Sequence, residues 1–166
     1  MANQRQVKRR IGTAQNISKI TKAMEMVAAS KMKKAQEQAL AARPYSQALY
    51  DSITTISQAS KLDGHPLLSN HEAGIPIIVV IGTDKGLCGA LNGNLLKVLV
   101  DWKKKHSNGE VVAVGKKAVL AARSVGMTVH AQFTQLPEYV TTVDVIPVTT
   151  LVLNNFIEQR FKSVDI

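Results

Sequence analysis

Apolar and small residues recur every three or four positions from near the N-terminus to about Ser57: Val7, Ile11, Ala14, Ile17, Ile20, Met24, Val27, Ala28, Met32, Ala35, Ala39, Ala42, Leu49, Ile53 and Ile56. That spacing marks one face of an α-helix or the seam of a coiled coil. No turn cluster interrupts it. At about 1.5 Å per residue it predicts a rod of roughly 80 Å, against a usual helix of about 11–12 residues. A chain of 166 residues cannot bury such a rod along its whole length, so the rod is read as a surface for another molecule. The stripe is rich in Ala and Met rather than Leu. Small side chains let helices approach closely, and Met adapts to irregular partners. Pro44 withholds one backbone donor and predicts a kink near Arg43 rather than an end, because the spacing resumes beyond it.

Residues 58–74 hold Gly64, Pro66, Asn70 and Gly74 with little periodicity, which predicts a linker between the helix of residues 1–57 and a domain over residues 75–166. Strand and helix patterns then alternate. Residues 75–81 form a mostly β-branched run, the mark of a buried parallel strand. Residues 91–106 read as an amphipathic helix ending in Lys103, Lys104 and Lys105, cations suited to the negative end of its own dipole. A second strand is expected at 110–114, a second helix at 116–125 stopped by Gly126, and a third strand at 127–133. A third helix is expected at about 145–160, with Pro147 in its first turn. Residues 164–166 read as the opening of a fourth strand, cut short. The class is α/β.

Charge changes the picture. Lys and Arg number 21 against 12 Asp and Glu, a net charge of +9. Ten of the basic and only three of the acidic residues lie before Gln58, so the rod carries most of the excess. A basic helix suits nucleic acid, an anionic membrane or an acidic protein surface. Aromatic residues are 4% of the chain, and none precedes Tyr45, so the rod offers bases no stacking platform. Its apolar face of Ala, Met and Ile also lacks the Trp, Phe and Leu of a helix lying on lipid. A protein partner fits best. Cys88 is the sole cysteine, which argues against a disulfide framework or a thiolate metal site. No secretory signal and no bilayer-spanning apolar run is read, so a reduced, cytosolic setting is expected.

One Gly-rich loop, GTDKGLCG at residues 82–89, is the candidate for chemistry. Such loops can cradle phosphate at a helix N-terminus. This one does not match G-x-G-x-x-G, lacks the Lys-Ser/Thr pair of a P-loop, and has no acidic ribose partner in place. The favoured reading is that Gly82, Gly86 and Gly89 permit a tight strand-to-helix turn. A small nucleotide-binding α/β enzyme using this loop is one alternative, and a basic coiled-coil nucleic-acid binder is another. Cys88 at a helix start would favour a thiolate, but no His neighbours it in sequence, so a buried structural thiol is expected. Asp84 is expected to cap the following helix rather than bind a cation. His65, His71, His106 and His130 are scattered singly without metal-ligand spacing. No catalytic, cofactor-binding or metal residue is therefore predicted.

The stretch RRIGTAQNISKITKAMEMVAASKMKKA at residues 9–35 is very similar to the N-terminal helix of the gamma subunits of F-type ATP synthases, and KITKAMEMVAASKM at 19–32 is close to a signature. ARPY at 42–45 and GTDKGLCGALN at 82–92 resemble the same family. The likeness covers essentially the whole chain, weakening after about Val111. It implies a shaft helix joined to a Rossmann-like three-layer α/β domain, incomplete at its last strand. The family's C-terminal helix, which returns antiparallel to the first, has no counterpart here, so a C-terminally truncated fragment is expected. Its seam (Val7, Ile11, Ala14, Met24, Val27, Ala28, Met32, Ala35) is then expected to be exposed, and its open sheet edge prone to aggregation.

The resemblance further implies a non-catalytic rotor, coupling proton-driven rotation to ATP synthesis on beta subunits. It implies a ring of alpha and beta subunits, an epsilon subunit and a c-subunit ring as partners, with no nucleic acid, no cofactor and no direct membrane insertion. Lys19, Lys22, Met24, Met26 and Lys31 become candidates for the contact zone with the alpha and beta subunits. The implied place is the cytoplasmic face of a bacterial plasma membrane, as a peripheral subunit, since no transit-like segment precedes Arg5.

Overall fold

The computed structural model describes residues 2–59, 65–67, 69 and 71–166; of the expected linker, residues 60–64, 68 and 70 lie outside the described residues. The chain divides into two compact units, Met1–Lys61 and Leu62–Ile166.

The first unit is one helix, α1 (Ala2–Ala59), of 58 residues with Pro44 inside it. The helix assignment is continuous on both sides of the proline. The pyrrolidine nitrogen has no hydrogen to give the Leu40 carbonyl, so one rung of the ladder is missing there. Hydroxyl side chains close on the helix itself. Thr13 Oγ1 donates to the Arg9 carbonyl at 3.0 Å, Thr21 Oγ1 to that of Ile17 at 3.0 Å, and Ser52 Oγ to that of Ala48 at 2.7 Å. Such bonds satisfy polar groups within the helix. The i,i+4 pairs Gln47–Asp51 at 2.9 Å and Lys33–Glu37 at 4.0 Å each add about 0.2–0.5 kcal/mol.

The second unit runs β1 (Ile75–Ile81), α2 (Leu91–Lys105), β2 (Glu110–Val114), α3 (Lys116–Ser124), β3 (Thr128–Phe133), α4 (Thr142–Ile157) and β4 (Phe161–Asp165). All pairings are parallel, in the order β3-β2-β1-β4, with Ile78 opposite Val111 on one side and Asp165 on the other. Parallel neighbours require crossover connections, and each helix supplies one. Alternate residues of the central strands serve opposite faces. Ile78 and Val80 pack with Val111, Ala113, Leu99 of α2 and Ala118 and Ala122 of α3. Ile77 and Val79 pack with Val112, Val114, Val148 of α4 and Phe161. The result is a three-layer α/β unit with α2 and α3 on one face and α4 on the other. It explains why β1 and β2 are apolar without alternation: both of their faces are covered.

Three boundaries differ from expectation by three residues each, the others by no more than two. Helix α4 starts at Thr142, not 145, because Thr141 and Asp144 form a capping box. The Thr141 backbone N–H and hydroxyl donate to Asp144 Oδ2 at 2.8 and 2.7 Å. Pro147 therefore lies in the second turn, where it deprives the Val143 carbonyl of a donor. The helix also stops at Ile157, because Gln159 turns left-handed at φ 60°. The Arg160 and Gln159 N–H groups close on Asn155 and Phe156, and the Arg160 carbonyl takes the Ile75 N–H at 2.9 Å. That contact sets Phe161 into the sheet three residues ahead of the expected strand, so β4 is as long as β2. A non-glycine residue in the left-handed region leaves no clear sequence signal.

The cap has a pH signature. Donation from Thr141, first by its hydroxyl and then by its backbone N–H, holds the Asp144 carboxyl below its ordinary value of 3.8. A depressed folded-state pKa adds stability above the unfolded value, and that stability fades as pH falls through the folded value. Asp144→Ala is therefore expected to lower the thermal midpoint at neutral pH. The gap from wild type should close as pH drops below 3.8. A gap that persists unchanged in acid would contradict the cap.

Candidate functional site

Two places carry the sequence-level candidates: the surface of α1 and the loop after β1. On α1, helical geometry sorts the five contact candidates at about 100° per residue. Lys19, Lys22 and Met26 follow one another at i, i+3 and i+7 and share one face. Met24 and Lys31, seven apart, share another, which is the face of the apolar seam. The five do not form a single patch. Met24 and Met26, two residues apart, point in nearly opposite directions, at 56% and 62% exposure. The seam residues Val7, Ile11, Ala14, Met24, Val27, Ala28, Met32 and Ala35 are all exposed. An exposed helix with an apolar stripe and a cationic flank is chemically a contact surface. Its ammonium groups are felt only within about 8 Å at physiological salt, so they act on a partner already close.

The loop 82–89 is built against the start of α3, not only against α2. The Gly82 N–H donates to the Val114 carbonyl and the Lys117 N–H to the Thr83 carbonyl, both at 2.8 Å. The Lys116 N–H donates to Asp84 Oδ1 at 2.8 Å. Asp84 thus caps α3 and not the following helix α2, a correction that the parallel crossover explains. Strands β1 and β2 end side by side, which brings the first loop onto the second helix. A Cβ on Gly82 would lie 2.9 Å from the Ala118 nitrogen, and one on Gly115, at φ 94°, would run into the Gly82 carbonyl oxygen. Among the three expected turn glycines, Gly82 answers to close approach and Gly89 to its φ of 60°, while a Cβ on Gly86 meets nothing within 4 Å.

Side chains in the loop bond to one another. Thr83 Oγ1 and Asn92 exchange contacts at 3.1–3.2 Å, and Asn92 Nδ2 donates to Cys88 Sγ at 3.0 Å. Cys88 is half-buried rather than buried. Leu87, which sequence reading passed over, is 100% exposed at φ 60°. The first two N–H groups of α3 are occupied by Thr83 and Asp84, so phosphate would have to displace both to bind there.

Lys103 also departs from expectation. Its ammonium donates to the Val125 and Gly126 carbonyls at 2.7 and 3.0 Å, closing the end of α3 rather than its own helix. Three of the four histidines are held by neighbouring side chains. His130 Nδ1 meets Glu110 Oε2 at 2.9 Å, His106 stacks on Trp102, and His71 sets its edge on Phe156. Among the described residues no three His, Cys, Asp or Glu converge as a metal site, and no helix is long and apolar enough to cross a membrane.

A family model for ATP synthase matches residues 3–166. The chain belongs to this ATP synthase family. It is 39% identical over 163 residues to the ATP synthase gamma chain of Herpetosiphon aurantiacus, covering 94% of this chain and 55% of that protein. It is 38% identical over 168 residues to the gamma chain of Polaromonas naphthalenivorans, covering 99% and 58%. To that of Mannheimia succiniciproducens it is 41% identical over 136 residues, covering 80% and 47%. The chain spans about half the length of the curated relatives it matches. A chain in the Euglena gracilis mitochondrial ATP synthase aligns with it at TM-score 0.41 and 18% identity, over 74% of this chain and 44% of that one. Membership in the ATP synthase family agrees with the resemblance read from residues 9–35 and 82–92.

Proposed function

We propose that this chain is the central-stalk, or gamma, subunit of a proton-translocating ATP synthase, and that it makes and breaks no bonds itself. The observation that carries this reading is the 58-residue helix α1 with its apolar and cationic faces exposed. A shaft with unlike faces offers each of several equivalent sites a different contact free energy, and that difference biases each site to its own conformation. Turning the shaft passes the bias from site to site. Rotation would be driven by protons crossing a c-subunit ring, and ATP would form on beta subunits. Lys19, Lys22 and Met26 on one face, and Met24 with Lys31 on the other, are the contact residues of this reading, facing acidic surfaces of an alpha and beta ring. The α/β unit would sit near the epsilon subunit and the c ring, at the cytoplasmic face of a bacterial membrane, held by protein contacts.

The test is co-expression with alpha and beta subunits. Tagged chain is expected to retain both through purification. The triple change Lys19→Glu, Lys22→Glu and Lys31→Glu is expected to weaken retention at least about tenfold at low salt, with a smaller difference at high salt. Failure of the unaltered chain to retain either subunit, or turnover of a nucleotide by the chain alone, would overturn the assignment.

A further inference from the structure

We propose that the outer face of α2 and α3 is a docking surface for an anionic lipid bilayer, which it meets by charge and without insertion. The α/β unit distributes its ions unevenly. Residues 62–166 hold ten Lys or Arg and nine Asp or Glu, so the unit is nearly neutral. Seven of those ten cations lie on α2 and α3, where Asp101 is the one anion. That layer carries +6 and the rest of the unit −5. Helix α4, on the opposite face of the sheet, contains no Lys or Arg. Charges segregated in this way give the unit a strong dipole at small net charge, and such a dipole orients it over an extended charged plane.

Most of the layer's cations are uncommitted. Lys103 is occupied by the Val125 and Gly126 carbonyls, and Lys104 by Asp101 at 2.9 Å. Lys97, Lys105, Lys116, Lys117 and Arg123 have no acidic partner among the described residues. Helical geometry points most of them outward. Leu95, Leu99 and Trp102 turn one side of α2 to the core, which leaves Lys97 and Lys104, seven apart, on its outer side. On α3, Ala118, Val119 and Ala122 face inward. Lys116, Lys117 and Arg123 therefore surround Leu120, which is 56% exposed.

The residue types select the partner. Protein interfaces gather aromatic side chains at their centres and exclude Lys, whereas six of these seven cations are Lys. Trp102, the only aromatic residue of the two helices, packs against the core and donates its indole N–H to Asp165 Oδ2 at 2.7 Å. Nucleic acid thus finds no stacking platform. A leaflet of anionic lipid requires neither feature. It attracts each basic residue near its surface by about fivefold in partition, within a range of about 8 Å at physiological salt. Leu120 alone amid cations is too little apolar surface for insertion. The contact involves no other subunit, so it stands apart from the stalk assignment, and either can fail without the other.

The test places a fluorophore on the full chain in a Cys88→Ser background, through Leu120→Cys on α3 or Thr150→Cys on α4. Vesicles of phosphatidylcholine and phosphatidylglycerol carry a nitroxide quencher on some headgroups. Because α1 is basic as well, the measurement reads which face of the α/β unit meets the headgroups, and not binding alone. At low salt, quenching at position 120 is expected to exceed that at position 150 by about threefold or more, and to vanish on pure phosphatidylcholine. Lys97→Gln, Lys105→Gln, Lys116→Gln and Lys117→Gln together are expected to reduce it to the level at position 150, with helix content by circular dichroism retained. The comparison of the two positions stands without that fourfold variant. No quenching at position 120, equal quenching at both positions, quenching that persists on neutral vesicles, or insensitivity to the four changes would each overturn the proposal.

Discussion

Gly115→Ala is expected to lower the unfolding free energy of the α/β unit by about 3 kcal/mol or more. Two independent penalties meet at this position. Its φ of 94° is one that side-chain-bearing residues rarely adopt, and the new Cβ would press on the Gly82 carbonyl oxygen. That oxygen belongs to backbone held by the Gly82–Val114 hydrogen bond, so neither neighbour yields cheaply. Gly86→Ala in the loop itself is the internal control. A Cβ there meets nothing within 4 Å, and a change within about 0.5 kcal/mol is expected. Urea unfolding followed by the fluorescence of Trp102, the single tryptophan, measures both. The probe lies against the α2–α3 face of the core. Equal midpoints for the two variants would refute the account of close approach between the β1 and β2 ends.

Phe161→Ala is expected to cost about 3–5 kcal/mol. The ring is 1% exposed and packs with Ile77, Val79, Val112 and Val148 under α4, with the His130 ring set edge-on at 5.0 Å. Removing it opens a cavity at the junction of β4, β1 and α4. A domain of this size has about 5–15 kcal/mol in all, so the loss takes a large share of it. Phe133→Ala, at a half-buried position beside the same face, should cost clearly less. The same urea titration compares them, and a Phe161→Ala loss no larger than that of Phe133→Ala would show that β4 does not close this core.

The two variants also mark where sequence reading succeeded and where it stopped. Helix α1, strands β1 and β2, and the glycine stop of α3 were legible because each rests on local rules: a 3.6-residue apolar repeat, a β-branched run, a left-handed Gly126. The start of α4 was missed although the Thr141–Asp144 spacing marks it, because Pro147 drew the expected boundary to residue 145. The start of β4 was not legible. It depends on Gln159 taking a conformation with no residue signature and on the Arg160 carbonyl reaching Ile75, 85 positions earlier in the chain. The candidate contact residues of α1 were named from resemblance alone, and only helical geometry separates Lys19, Lys22 and Met26 from Met24 and Lys31.

Periodicity and charge order along the chain decided that this protein has a long cationic helix and a parallel α/β unit, because both follow from the spacing of side chains and need no distant partner. Tertiary structure alone decided what Asp84, Lys103, Gly82 and Gly115 do. Each of them acts on an element other than its own: Asp84 on the start of α3, Lys103 on its end, and the two glycines on one another. Such pairings are fixed by which strands lie side by side, and a parallel sheet brings together strand ends that are distant in sequence. A one-dimensional pattern records how far apart those residues are along the backbone, and carries nothing of that adjacency.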